Sequence, residues 1–578
     1  MTSPVTAPAT SAAHHRPTAA LLRALATDRT APPYPALRRI TEELGAGRPL
    51  LADQPRLRDL LELTAAADPR LFHVMFLHHC MTVGPALDYG AQPADVAALA
   101  SGARIGAALM TELGRGNSSA AIRTEARLDR ASGDFVLHTP EPGAAKYPVN
   151  AADPDTPRLA VVSARLRIDE ADHGVFLFLV ELRDARGTTP GVTVRPHPPT
   201  TLLPLDYATV RFDRVRVPRH RWLADGAALT ADGRLHDPAG GPDARTRRSL
   251  GMSRFACGAV TAGLAAAARA AVALALPHAT RRITAERGGG ERTALDHLDQ
   301  QRLLFGAAAD AYAATVLARR VTAAAWDVPA GGGRGDGPAP EVMRTLALTK
   351  VAVSRLADRA VARCRSATGA LGFFSENRLV DYQALTTAFQ SGCGDNRMIL
   401  LDAARSLAAA DAPVPPDAPA PAGEHGPASD EDGLTPLFHA HEGLLHGELT
   451  TGLAAAAEDG SDPADAWDEH SRPARALATA HLTRTAADAL AAHATDDPVA
   501  AELLRAARLD RAVTGSARYL LSGLATPDHV RTWSAALDGV HRRLRHRTDD
   551  VVALMDTPPE LLDAPIAGPD YVTALTGG

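Results

Sequence analysis

Between Asp134 and Val217 the chain changes texture. Phe135 to Leu137, Leu159 to Val162, Val175 to Val180 and Val210 to Val217 are short β-branched and aromatic runs punctuated by Gly, Pro and Asp, and they read as strands. In the last run Val210 and Phe212 alternate in one phase and Val215 and Val217 in the other, which predicts a bulge near Asp213-Arg214. Helical spacing flanks this stretch. Leu21, Leu22 and Leu25, then Leu57, Leu60, Leu61 and Leu63, precede it; Leu304, Ala308, Ala311 and Tyr312 follow at i, i+4, i+7 and i+8. The expected class is mainly α with a central β domain. For 578 residues, a prior of roughly 100 to 200 residues per domain gives about three or four domains. The expected order is a disordered leader (1–18), an N-terminal helical domain (19–110), a β domain (111–240), a helical bundle (241–408) broken by a Gly-rich insertion at Gly331 to Gly337, a Pro-rich acidic linker (409–433) and a C-terminal helical domain (434–578).

Composition narrows the function classes. Hydrophobic residues at 46% and charged residues at 22% exclude wholesale disorder, collagen and a coiled-coil rod. A net charge of -6 gives no general pull toward nucleic acid or anionic lipid. Cys80, Cys257, Cys364 and Cys393 are widely spaced, with no CxxC and no Cys/His cluster, so neither a disulfide framework nor a structural zinc is indicated. The scattered histidines propose no metal either. The N-terminal segment lacks a basic start, an apolar run and a cleavage site, so a cytoplasmic protein is expected. Phe255 to Pro277 is the most membrane-like stretch, but Arg269 inside it would cost about 2.5 to 3.5 kcal/mol at mid-bilayer, and a buried bundle helix is the better reading. Lys146 and Lys350 are the only lysines.

Particular residues carry a resemblance. Met110-Thr111-Glu112-Leu113-Gly114-Arg115-Gly116-Asn117 resembles MTELGHG, and Phe135 to Pro140 followed by Lys146 resembles FVLHTP…K, both of the acyl-CoA oxidases in the acyl-CoA dehydrogenase superfamily. Pro190-Gly191-Val192 and Val210 to Pro218 resemble that family's PGI loop and LRFDNVRIP strand, and Leu295 to Gln301 resembles LDYQTQQ. Similarity spans about Ala19 to Leu407. It implies an FAD site built from Thr111, Gly114, Gly116, Arg281, Gln301, Gly369, Gly372 and Asn396, with Arg254 and Tyr147 toward the substrate. Arg281 would reach the pyrophosphate of a neighbouring subunit, which implies a dimer; the plain alternative for Arg281 is a solvated helix charge, and for the Ala-rich stretch Ala265 to Ala275 an intrachain core.

Two departures shape the functional expectation. The family chemistry removes an α proton from an acyl thioester with a glutamate while flavin takes the β hydride. Here Ser391-Gly392-Cys393-Gly394-Asp395-Asn396 resembles the EGDN segment with Cys393 standing on the glutamate, and Ser253 occupies the other position where some dehydrogenases carry theirs. The base candidates are therefore Cys393, Asp395 and the more remote Glu376. After Lys146 the chain reads Tyr147 to Ala152, where the oxidases have WWPGGLG. The expected function is an FAD-dependent acyl-CoA oxidase or dehydrogenase-like flavoprotein of a specialised pathway, oxidising an acyl thioester on CoA or a carrier protein with a non-standard base. Two alternatives stay open: a silent subunit that pairs with an intact oxidase-like chain, homodimer giving way to heterodimer, and a flavin monooxygenase on the same fold.

Overall fold

Backbone geometry follows the alternation of texture. The computed structural model describes residues 18–25, 31–44, 49–286, 288–327, 338–409 and 433–576. Residues 1–17, the Gly331 to Gly337 insertion and nearly all of the linker lie outside the described residues. The first block folds as helices α1 (Ala19–Leu25), α2 (Tyr34–Glu43), α3 (Gln54–Ala67), α4 (Pro69–His78), α5 (Gly84–Asp88) and α6 (Pro93–Ala100). Asp53 and Asp68 cap α3 and α4 by accepting the amides of Arg56 and Arg70, each with proline in the first turn.

The β domain starts earlier than the sequence suggests. Strand β1 (Ile105–Leu109) lies inside the stretch read as helical, because IGAAL carries no period-two signal and becomes a strand only by pairing in parallel with β5 (Arg158–Ile168). Between them come β2 (Glu125–Leu128), β3 (Phe135–His138) and β4 (Lys146–Asn150); after them come β6 (Ala171–Asp184), β7 (Gly187–Thr188), β8 (Val192–Pro196), β9 (Tyr207–Phe212), β10 (Val215–Val217) and β11 (Trp222–Leu223). The first half of β5 pairs with β1, its second half with β2, and its other edge with β6. Strands β4, β9 and β8 form a separate sheet. The phase switch at Asp213-Arg214 is not a bulge within one strand. Arg214 adopts φ 50°, and the chain crosses there from β9 in the small sheet to β10, which pairs with β3 in the large one.

The bundle contains α7 (Pro242–Leu250), α8 (Ser253–Arg281), α9 (Leu298–Trp326), α10 (Pro340–Thr368), α11 (Leu379–Ser391) and α12 (Asn396–Leu407), and helices from Leu434 onward pack on its far side. The segment Pro242–Arg281 is long and apolar enough to cross a membrane by length and composition, yet it is packed inside protein on nearly every side. Its small residues explain how: a Cβ on Gly263 would come within 2.2 Å of the Phe72 ring, and one on Gly258 within 2.6 Å of the Trp326 indole nitrogen. Ala265 to Ala275 is thus intrachain core. Arg269, buried mid-helix, is ion-paired with Glu62 of α3; burial would raise the Glu62 carboxyl, and Arg269 with Arg319 outweighs it and holds the group ionised.

A second buried ionic seam joins the modules. Arg245, fully buried, bonds Asp225 Oδ2 at 2.8 Å and also pairs with Asp237; Arg248 bonds Asp225 Oδ1 at 2.9 Å and Asp88 at 3.2 Å. Asp88 belongs to α5, Asp225 and Asp237 to the β domain, and the arginines to α7. Asp225→Ala would take one of two carboxylate partners from each of two buried guanidinium groups, and we expect a loss of about 3–5 kcal/mol, read as a drop in the denaturant midpoint. Acid should act through buried histidines. Burial pushes His73, His78, His278, His441 and His541 down from 6.5 to about 4. Between those values the unfolded chain binds protons that the folded chain does not, so stability falls as pH drops from 6.5 toward 4. Thermal melts across that window should show it, and His541→Phe should flatten the slope.

Candidate functional site

Two loops hold most of the residues singled out above. In the β domain, residues 111–114 run antiparallel to 143–147: the Tyr147 amide donates to Thr111 O (3.0 Å), Leu113 N to Ala145 O (2.9 Å) and Gly114 N to Gly143 O (2.8 Å). Glycine at 114 lets the two segments approach, since a Cβ there would sit a tight 3.1 Å from Gly143 Cα. Gly116 is exposed with open space around it, and Thr111 makes no side-chain hydrogen bond among the described residues. Tyr147 is partly exposed and meets the His197 ring edge-on at 5.2 Å. Beneath the loop lies an interaction that sequence reasoning missed. Glu112 and Lys146 are both buried, 3.3 Å apart; Glu112 also accepts from the Arg123 and Thr124 amides, each at 2.8 Å, and Lys146 donates to Ser163 Oγ. Burial outweighs the pairing and brings the Lys146 ammonium down to about 8.

The second loop follows α11. Cys393 (φ 54°) and Gly394 (φ 97°) make a left-handed turn, and Asp395 caps α12 by accepting the Arg397 amide at 2.8 Å. Lys350 of α10, fully buried, holds this turn from below: its Nζ donates to Gly394 O at 2.6 Å and to Asn396 Oδ1 at 3.0 Å. Asn396 then donates to Ser354 Oγ and Gln390 Oε1. Burial lowers the Lys350 ammonium, while nearby Cys393, Cys257 and Asp395 act the other way. Burial pushes the Cys393 thiol up to about 12, against the pull of Lys350. A thiol in that range is a poor base near neutral pH.

A third group gathers at the end of the bundle. Gly369 ends α10 with φ 65°, a conformation that favours glycine, and a Cβ on Gly372 would meet Arg365 O and Thr368 Oγ1 at 2.6 Å. Arg281 Nη2 donates to the carbonyls of Ile566 (2.9 Å) and Ala567 (3.3 Å) in the chain's own C-terminal segment, while its Nε is buried without a partner. Gln301 donates to Leu295 O, and its Oε1 is likewise buried and unpartnered, as is that of Gln300. These idle polar valences and the glycine turn fit a polar group such as a dinucleotide pyrophosphate and adenosine.

Two expectations are corrected by geometry. Arg254 is not free for a substrate: it is buried, pairs with Asp88 at 3.2 Å, donates to the carbonyls of Ala325 and Asp327, and lies over the Phe255 ring. Glu376 sits on a surface turn, exposed and away from the Cys393 loop's polar network. Among the described residues no group of three or more His, Cys, Asp or Glu could hold a metal ion.

The architecture, a β domain seated between an N-terminal helical block and a long-helix bundle, is the acyl-CoA oxidase fold. Crystal structures of acyl-CoA oxidase 1 from Yarrowia lipolytica (TM-score 0.79, 18% identity, covering 96% of this chain and 85% of that one) and of acyl-CoA oxidase-1 from Caenorhabditis elegans complexed with FAD and ATP (TM-score 0.80, 20% identity, 94% and 85%) share it. Residues 254–408 match the acyl-CoA oxidase C-alpha1 domain family, so the likeness to acyl-CoA oxidases is one of sequence in that segment as well as of fold. Similar curated proteins include an acyl-coenzyme A oxidase-like protein of Mus musculus (29% identical over 310 residues, 52% of this chain and 48% of that protein) and peroxisomal acyl-coenzyme A oxidase 1 of Arabidopsis thaliana (27% over 313 residues, 52% and 46%). The chain spans about half the length of these relatives.

Lys350 generates the prediction here. Lys350→Met leaves the Gly394 and Asn396 acceptors without their donor, which should cost about 1–3 kcal/mol. The turn should loosen with it, so that Cys393, slow to alkylate in the native protein at pH 8, labels faster in the variant by mass spectrometry.

Proposed function

We propose that the chain is an FAD-dependent flavoprotein that oxidises an acyl thioester, carried by CoA or a carrier protein, in a specialised rather than housekeeping pathway. One observation carries this reading: both loops that the resemblance sets against the flavin and the reacting carbon are held by buried lysines, each with two hydrogen-bond acceptors, although the resemblance puts Cys393 where the carboxylate would stand. Lys146 with Glu112 fixes the first, Lys350 with Asn396 the second. In this reading Thr111 and the amides of the 111–116 loop face the cofactor, and Gln301, Arg281 and the Gly369 turn receive its pyrophosphate and adenosine end. FAD, when bound, supplies the hydride acceptor. The chain's own residues orient the thioester and take its α proton.

The hydrogen bonds of the 111–147 loop stay within the β domain, and those of Arg281 and Gln301 within the bundle and the C-terminal segment. A cofactor drawing on both groups is best served by two chains, so we propose a dimer. Its location is proposed to be the cytoplasm, in keeping with four unpaired thiols. A second reading is favoured by the Cys393 thiol, raised by burial to about 12: the chain would be a silent subunit completing the FAD site of an intact oxidase-like partner.

Purified protein decides. A yellow chain releasing close to one FAD per polypeptide on heating, with the light-scattering mass of two chains, is expected. A protein that stays colourless after reconstitution with excess FAD overturns the flavoprotein reading; one that gains flavin only when co-purified with an oxidase-like chain selects the silent subunit.

A further inference from the structure

His73 of α4 lies where three modules meet. Its ring touches Phe76 of the same helix (5.5 Å), Tyr207 of β9 (6.5 Å) and Phe389 of α11 (6.0 Å), and Phe389 in turn meets Phe72 and Phe76 at 6.3 and 5.9 Å. Phe389 precedes Cys393 by four residues, so this aromatic compartment borders the turn that Lys350 holds. Within it stand two polar side chains. His73 Nε2 bonds Asn150 Oδ1, the last residue of β4, at 3.1 Å. With the amide oxygen facing the ring, Nε2 carries the proton, and Nδ1 of the neutral imidazole presents a lone pair. That Nδ1 and Asn150 Nδ2 are both buried with no hydrogen-bond partner among the described residues.

An idle acceptor beside an idle donor, linked by one hydrogen bond and walled by aromatic rings, is costly: each unmet buried group costs about 1–3 kcal/mol. Most buried polar groups are paired, so such a pair calls for an explanation. An acyl thioester offers one group of each kind, a carbonyl acceptor for the idle donor and an acidic C–H for the idle acceptor. We propose that Asn150 Nδ2 and His73 Nδ1 receive the reacting end of an acyl thioester, Asn150 donating to the thioester carbonyl oxygen and His73 acting as the base that removes the α proton. The assignment rests on the acyl-thioester reading above and supplies the base which Cys393 does not.

Burial brings His73 down to about 4, so its imidazole is neutral, with the Nδ1 lone pair free, throughout the neutral range. In the step, the Cα–H bond breaks and its electron pair moves toward the carbonyl, whose oxygen is held by the Asn150 N–H. The proton bonds to Nδ1, and the Asn150 Oδ1 acceptor stabilises the imidazolium through Nε2–H. The β hydrogen leaves with its two electrons to the flavin that the same reading invokes, so the products are an α,β-unsaturated thioester, reduced flavin and protonated His73. That proton is returned to solvent before the next turnover.

The test uses the full chain loaded with FAD, mixed anaerobically with butanoyl-, octanoyl- or hexadecanoyl-CoA. Loss of the flavin band gives the chemical rate, and calorimetry gives acyl-CoA binding. His73→Gln keeps a polar side chain near Asn150 and should slow bleaching by about 10²-fold or more, with binding essentially unchanged. Asn150→Leu, the second variant in case the first unfolds, should slow it by about 10²-fold as well, as loss of one carbonyl-polarising donor does. If either folded variant bleaches at the wild-type rate, the assignment falls while the flavoprotein reading stands. If the wild type holds FAD but neither binds nor is bleached by any of the three thioesters, both fall together.

Discussion

The buried exchange of charge among Arg245, Arg248, Arg254, Asp88, Asp225 and Asp237 is the constraint on which the arrangement of modules depends. Three guanidinium groups and three carboxylates meet where α5, the end of the β domain and the start of the bundle converge. Arginine suits the place, because its planar fork can bridge two carboxylates and still lie flat on a ring, as Arg248 does on Tyr89 and Arg245 on Phe176. Burying so much charge brings little net stability, but mispairing any of it is expensive. The seam therefore fixes how the β domain sits against the helices, and with it the junction where β4, α4 and α11 meet.

The two loops picked out by the resemblance share a kind of support. Each is fixed from beneath by an ammonium, and in both cases burial works against the charge while carbonyl, amide or carboxylate oxygens compensate. Lys146 has a carboxylate partner. Lys350 relies on neutral oxygens, with Asp395 and two thiols within electrostatic reach. A turn held in this way, through the Gly394 carbonyl and the Asn396 amide, does not depend on the side chain at Cys393 for its shape.

Much of this was legible in the sequence, and the limits have physical reasons. Strands rich in Val and Phe announced themselves, and α8 was recognisable because an alanine-rich run with one arginine is more economically buried in protein than in lipid. β1 was not, since Ile105 to Leu109 takes its conformation from β5. The run from Val210 to Val217 showed its change of phase, but only tertiary pairing could say that the two halves belong to different sheets. Within the site, motif similarity picked out the 111–116 and 391–396 segments, and the fold shows that each contains a loop. It misjudged Arg254, whose neighbours in space, Asp88 and the carbonyls at the end of α9, are far away in sequence. His73 and Asn150 were invisible for the same reason: they lie 77 residues apart and acquire meaning only through one hydrogen bond and two unmet valences.

The two lysines have a consequence for the outside of the molecule. Since both are sealed in the interior, no described part of the surface offers a primary side-chain amine, and its positive charge is carried by arginine. Guanidinium stays protonated throughout the range in which proteins survive, so this surface does not lose cations as alkalinity rises. Acylating, glycating and amine cross-linking reagents find no lysine there to react with. Enzymes that tag lysine meet the same bare face, and the only side-chain amines they could modify become accessible when the chain has already begun to unfold.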